Sequence, residues 1–137
     1  MKQVRSFIAV ALVAAACSSD PFAATAENVI GDYTARTFTT SDTAGTINWL
    51  QRGATLSISL GPNGVTVGHL FIPGAGSGGS DLDQLLLGDW TLTGNTITFD
   101  MPTVDTFVKN MSWTAGKDQL SGDHTVNGLR IKVVFIK

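Results

Sequence analysis

The sequence predicts an all-β domain: an eight-stranded antiparallel up-and-down barrel, with a two-sheet β-sandwich as the alternative. Three observations predict it. Apolar and polar residues alternate over short runs, turn residues recur every eight to twelve positions, and threonine, a β-branched residue, is abundant. Strands are expected over 30–39, 54–61, 64–72, 87–94, 95–101, 110–115, 119–126 and 128–136.

The alternation is clearest in four of these strands. Leu56, Ile58 and Leu60 oppose Thr55, Ser57 and Ser59, and Ile97, Phe99 and Met101 oppose Thr96, Thr98 and Asp100. Met111 and Trp113 oppose Ser112 and Thr114, and Leu129, Ile131, Val133 and Phe135 oppose Arg130 and Lys132. One face buried and the other wet is the pattern of an antiparallel sheet. The connections agree, since Gly61-Pro62-Asn63-Gly64, Gly94-Asn95, Gly116-Lys117-Asp118 and Asn127-Gly128 read as hairpin turns. Strands joined in sequence by tight hairpins leave two free edges, and closing the sheet on itself hides both. Two short helices are expected, over 46–52 with Trp49 and over 103–110 with Val104, Phe107 and Val108 on one side, following Pro102. Either would plug one end of a barrel.

The start of the chain is of a different kind. Lys2 and Arg5 precede an unbroken apolar stretch over residues 7–16, then the lone cysteine, Cys17. Ten apolar residues make a signal-peptide core and fall short of the roughly 20 that a membrane-spanning helix needs. The run Val13-Ala14-Ala15-Ala16-Cys17 resembles the lipobox of bacterial lipoproteins, with Ala14 where Leu is more common. The resemblance implies cleavage before Cys17, acylation of its thiol and new N-terminus, and a membrane partner reached through that lipid. An ordinary secretory leader would leave an unpaired thiol in an oxidising compartment. Ser18 stands where an aspartate would resemble an inner-membrane retention signal, so an outer-membrane location is expected. The expected organisation is a leader over 1–16, a lipidated N-terminus and spacer over 17–28, and a barrel over 29–137.

Without residues 1–16 the chain has 121 residues, seven basic and eleven acidic, a net charge of −4. That length suits one domain with a packed core. Mild acidity argues against nucleic acid, and a single cysteine leaves no disulfide framework or thiolate metal site.

Gly31-Asp32-Tyr33-Thr34 and Gly88-Asp89-Trp90-Thr91 each open a strand with glycine, one spacer and an aromatic. This resembles the Gly-x-Trp strand start of lipocalins, and the run over 87–99 is similar to small lipocalin-like lipoproteins of bacteria. The stronger motif lies on about the fourth strand, whereas lipocalins place theirs on the first. The resemblance therefore implies an architecture, and no ligand is carried over. In physical terms the glycine permits close backbone approach and the aromatic seals a barrel end.

Candidate chemistry is sparse. Gly74-Ala75-Gly76-Ser77-Gly78-Gly79 fits the spacing of a nucleotide-binding loop, but no helix is expected to follow it, so a flexible loop at a barrel mouth is the better reading. Asp81 and Asp83, with Ser77 and Ser80, offer oxygens for a calcium ion, though too few for a strong site. His69 aligns with Val65, Val67 and Phe71, and His124 with Leu120, Gly122 and Val126, so both are expected to face inward. Asp123 and His124 are adjacent on a strand and point apart, and Asp100 and Asp105 lack the geometry of an acid–base couple. No catalytic residue, cofactor or metal is therefore expected, and the chain is not read as an enzyme. The expected function is that of a lipid-anchored envelope protein binding a small apolar or amphipathic ligand in the barrel lumen. The expected lining is Leu56, Ile58, Val67, Trp90, Ile97, Phe99, Trp113, Ile131 and Val133. The alternative is a structural or protein-interaction module of the envelope with a solid core.

Overall fold

The computed structural model describes residues 22–137. The leader and Cys17 lie outside the described residues. Nine strands follow in order: β1 (Gly31–Asp42), β2 (Gly45–Asn48), β3 (Thr55–Leu60), β4 (Val65–Ile72), β5 (Leu82–Thr93), β6 (Thr96–Asp100), β7 (Trp113–Gly116), β8 (Gln119–Val126) and β9 (Leu129–Ile136). Two single-turn α-helices, α1 (Ala26–Val29) and α2 (Phe107–Asn110), and three short 3-10 turns complete the regular structure of the described residues.

Neighbouring strands pair antiparallel, and β1 also pairs with β9 from Thr34↔Ile136 to Ser41↔Arg130. That pairing closes an eight-stranded barrel of β1, β3, β4, β5, β6, β7, β8 and β9, with β2 as an extra strand against the end of β1. The sandwich alternative is thereby set aside. The long β1 serves three partners: its first residues pair with β3, its last with β2, and Thr34 to Ser41 with β9 across a bulge between Ala35 and Thr37. The turns behave as their chemistry requires. Asn127 and Gly128 both have positive φ, 50° and 79°, as a two-residue hairpin of matching twist demands.

The barrel interior is one continuous apolar cluster, with Trp113, Phe135, Leu56, Leu86, Ile97 and Val133 all at 1% exposure or less. Small residues face large ones to make this possible. Gly68 on β4 lies between Ile58 and Leu86 in register, and a Cβ there would sit 2.5 Å from the Ser57 carbonyl oxygen. Gly122 on β8 pairs with Trp113, and a Cβ there would meet Met111 Cε at 2.6 Å and the indole at 2.9 Å. The glycine makes room for the ring that covers it.

Both ends are stoppered. The lower end carries the β3–β4, β5–β6 and β7–β8 hairpins. There Tyr33 donates its hydroxyl to the Val29 carbonyl (2.7 Å), Trp90 donates to the Gly61 carbonyl (2.9 Å), and Lys137 Nζ donates to the Asn28 carbonyl (3.0 Å). Both glycine–spacer–aromatic motifs thus converge on one end. Their glycines are required: Gly31 has φ +151°, and a Cβ on Gly88 would run into the Asp100 carbonyl oxygen. At the upper end Phe107 stacks on Phe38 with centroids 5.4 Å apart, and Trp113 Nε1 donates to the Val108 carbonyl at 3.0 Å.

Three expectations about local structure need correction. The helix expected over 46–52 is half strand: Asp42 Oδ1 accepts from the Ala44 amide at 2.8 Å, which turns the chain into β2, and only Leu50–Arg52 forms a helical turn. The helix expected over 103–110 shrinks to α2, started by Thr106 rather than Pro102. β5 begins at Leu82, earlier than expected, because the run Leu85-Leu86-Leu87 hides the alternation. The spacer expected over 17–28 is described only from residue 22. Phe22 and Ala24 pack against the core and lead into α1.

Candidate functional site

Eight of the nine residues expected to line a lumen do point inward, and Val67 does not. Leu56, Ile58, Trp90, Ile97, Phe99, Trp113, Ile131 and Val133 are buried in one cluster with one another. Val67 is 47% exposed on the outer wall, because β4 is turned one residue from the expected face: Thr66, Gly68, Leu70 and Ile72 face in. A single-residue slip exchanges the two faces of a strand. The run Val65-Thr66-Val67-Gly68-His69 reads equally well either way, since β-branched apolar residues occupy the outer positions.

The inward residues leave little for a ligand to address. Each indole N–H already has an acceptor: Trp49 donates to Thr40 Oγ1, Trp90 to Gly61 and Trp113 to Val108. Among the described residues no buried side-chain nitrogen or oxygen lacks a hydrogen-bond partner. Among the described residues, clefts open on the outside of the barrel. One of about 340 Å³ lies beside the β1–β2 hairpin, between Asp42, Thr46 and Arg52. Another, about 490 Å³, lies at the lower end between Phe22, Asn28, Lys117 and Lys137. Neither is lined by the expected lumenal set.

The polar candidates are dispersed and mutually satisfied. His69 faces outward, a correction of its expected direction, and its Nε2 lies 2.5 Å from Asp83 Oδ1. His124 keeps the inward parity near the upper end of β8 and is half-buried. The two histidines do not meet, since three strands separate β4 from β8 in either direction around the barrel. Asp81 accepts from the Gly74 amide at 2.9 Å, and Ser80 donates to the Ser77 carbonyl at 2.9 Å, so the glycine-rich loop is braced by its own oxygens. That loop leads into β5 rather than a helix, which leaves no helix N-terminus for a phosphate. Asp123 holds Arg130, not His124. The hydrogen bond from Arg130 lowers the Asp123 carboxyl below the usual range, and it raises the guanidinium in turn. Among the described residues no group of three or more His, Cys, Asp or Glu side chains is placed to hold a metal ion.

One surface feature escaped the sequence reading. Val65, Val67, Leu85 and Leu87 stand outward on β4 and β5 at 49%, 47%, 56% and 41% exposure, and Val67 lies directly opposite Leu87. Beside them Asp89 and Asp100 face each other across β5 and β6, both exposed. Like charges in that position are destabilising. No lysine or arginine occurs between Arg52 and Lys109, while Asp81, Asp83, Asp89, Asp100 and Asp105 all do. This charge asymmetry was the signal available in the sequence. Scans against protein-family models, curated proteins and solved structures found no match to the chain.

Proposed function

We propose that this chain is a lipid-anchored protein of the bacterial cell envelope whose barrel serves as a protein-interaction module and works through its outer surface. One observation carries the reading: the interior is filled by the protein's own side chains and both ends are closed. A small-molecule site needs a concavity of roughly 300 Å³ or more lined by apolar groups with a few unspent polar ones. Here the apolar groups are spent on one another. The alternative reading, a ligand carrier, has no such concavity to support it among the residues expected to line one.

The anchor rests on residues 1–17, and the polarity of the barrel is consistent with it. Outward positions such as Thr34, Ser57, Thr98, Asp123 and Lys132 are polar or charged, while inward ones are apolar. A barrel that spans a bilayer shows lipid an apolar band instead. Among the described residues no helix is long and apolar enough to cross a membrane. The assignment of attachment to an acylated Cys17 rests on the lipobox resemblance, and the eight-stranded antiparallel plan is the one lipocalins use.

Two measurements test this together. Palmitate labelling in cells is expected to mark the native chain and leave Cys17→Ser unmarked; equal labelling would remove the anchor. Native mass spectrometry of the protein purified from its own envelope is expected to give the mass of the lipidated chain alone. A co-purifying small molecule would restore the carrier reading and overturn this one.

A further inference from the structure

The lower half of β5 has strands on both sides, and its upper half does not. Pairing with β4 runs from Leu82 to Asp89, but pairing with β6 begins only at Asp89↔Asp100. Beyond Asp100 the chain reaches Pro102, which has no amide hydrogen to extend a ladder, and turns away through the Val104 amide to the Met101 carbonyl (3.3 Å). In an antiparallel pair, alternate residues direct their N–H and C=O groups away from the partner strand. Over residues 82–87 those groups meet no strand, and no hydrogen bond among the described residues reaches them from elsewhere.

An unpaired edge of this kind is a template for one more strand, and proteins commonly blunt it with lysine, proline or a cover. No lysine or proline lies on residues 82–87. Next to the edge stand Leu85 and Leu87, with Val65 and Val67 behind them on β4, a contiguous apolar face of the sort that marks an interaction site. The carboxylates around it have no lysine or arginine among them, and the one basic side chain on this face, His69 opposite Leu85, shares its Nε2 with Asp83. Asp83 stands at one end of the edge, and the opposed pair Asp89 and Asp100 at the other. The same charges disfavour two alternatives. A second copy paired edge to edge would bring aspartates against aspartates, and an anionic lipid surface would be repelled.

We propose that the upper edge of β5 takes up an extended segment of a partner protein, apolar at the centre of its outward face and lysine- or arginine-bearing at its ends. The segment continues the line of β6 past Asp100. Its backbone completes the ladder over residues 82–87, its apolar side chains join Leu85 and Leu87, and its cations meet Asp83 on one side and Asp89 with Asp100 on the other. Strand addition gives affinity through main-chain hydrogen bonds and specificity through alternate side chains. This deepens the interaction-module reading and rests on it.

The test uses the isotope-labelled mature chain in detergent and a synthetic peptide of about ten residues, the length of a long strand. The peptide alternates valine with threonine and ends in lysines; the control carries aspartates at its ends. The lysine-ended peptide is expected to slow amide exchange within residues 82–87, to bind at least about tenfold more tightly than the control, and to weaken as salt rises. Asp89→Asn with Asp100→Asn is expected to cost about tenfold in affinity, and Leu85→Thr with Leu87→Thr to remove binding while circular dichroism stays unchanged. Should the leucine pair disturb the fold, the asparagine pair carries the test. Equal binding of both peptides, protection confined to other strands, a dimer formed without peptide, or preferential binding to phosphatidylglycerol vesicles would each overturn the proposal. A small molecule inside the barrel would defeat the interaction-module reading by mass spectrometry and leave this peptide result legible.

Discussion

Two nearly opposite walls of the barrel are built on the same inner cluster and present different outer faces. The wall of β8, β9 and β1 shows Asp123, Arg130, Lys132 and Arg36, mixed in sign, with Asp123 and Arg130 joined as an ion pair. The wall of β4 and β5 shows four half-exposed aliphatic residues and aspartates without a lysine or arginine among them. Strand geometry separates these roles cleanly, because successive side chains go to opposite faces. The inner face secures the barrel and tolerates little change. The outer face is free to differ from wall to wall, and it is there that the proposed interaction module would acquire its partner.

Neighbouring leucines on β5 give the sharpest way to break this comparison. Leu86 is fully buried and Leu85 is 56% exposed. Leu86→Ala is expected to cost about 2–5 kcal/mol, the range for emptying a packed core position. Leu85→Ala is expected to stay within about 0.5 kcal/mol, as surface substitutions do. Urea denaturation of the two variants decides it. Comparable losses would mean that the outer face of this wall is part of the core.

A smaller effect is expected at Tyr33, whose buried hydroxyl ties β1 to α1. Tyr33→Phe removes the hydrogen bond to Val29 at a cost of about 1 kcal/mol. It also removes a dependence on pH. Burial holds the Tyr33 phenol above its ordinary value of 10.0, and the charge of Asp118 pushes the same way. The unfolded chain ionises at the ordinary value, so the contribution is complete below that pH and is lost as pH rises through the raised value. The native protein should therefore lose more stability between pH 9 and pH 11 than Tyr33→Phe does. Tyr33 is the only tyrosine, so its ionisation can be followed directly by tyrosinate absorbance.

The smallest effect belongs to the opposite wall. Asp123 is lowered first by its hydrogen bond to Arg130, and both groups are exposed to solvent. A depressed carboxyl contributes stability above its unfolded value and loses it as pH falls through the folded one. Asp123→Asn should therefore narrow the difference in urea midpoint between pH 6 and pH 3, by an amount that vanishes in high salt. An unchanged difference would mean that the pair contributes nothing to folding.

The strand plan was legible because its signals are local. Alternation at Leu56, Ile58 and Leu60, and turns such as Asn127-Gly128, carry their geometry in their own chemistry, and barrel closure follows from the need to hide edges. The facing of β4 was not legible, because valines stand on the side that turned out to be wet. Short helical periodicity misled over 46–52, where the Asp42 side chain sets a turn that no period records. The candidate surface escaped for a related reason. Whether Leu85 or Leu86 faces water depends on strand register, and whether β5 has a neighbour above Asp89 depends on where β6 ends.

The packing of Phe22 and Ala24 against the lower end has a consequence for how the domain stands. Were Cys17 acylated as proposed, five peptide steps would join the lipid to Phe22, a leash of at most about 18 Å when fully drawn out. On the proposed anchoring, that reach would keep the lower end, where Phe22 packs, nearer the headgroups than the upper end. The leucine-bearing flank lies on a side wall and not at an end of the barrel, so on the proposed anchoring it would be open to a partner held in the same membrane.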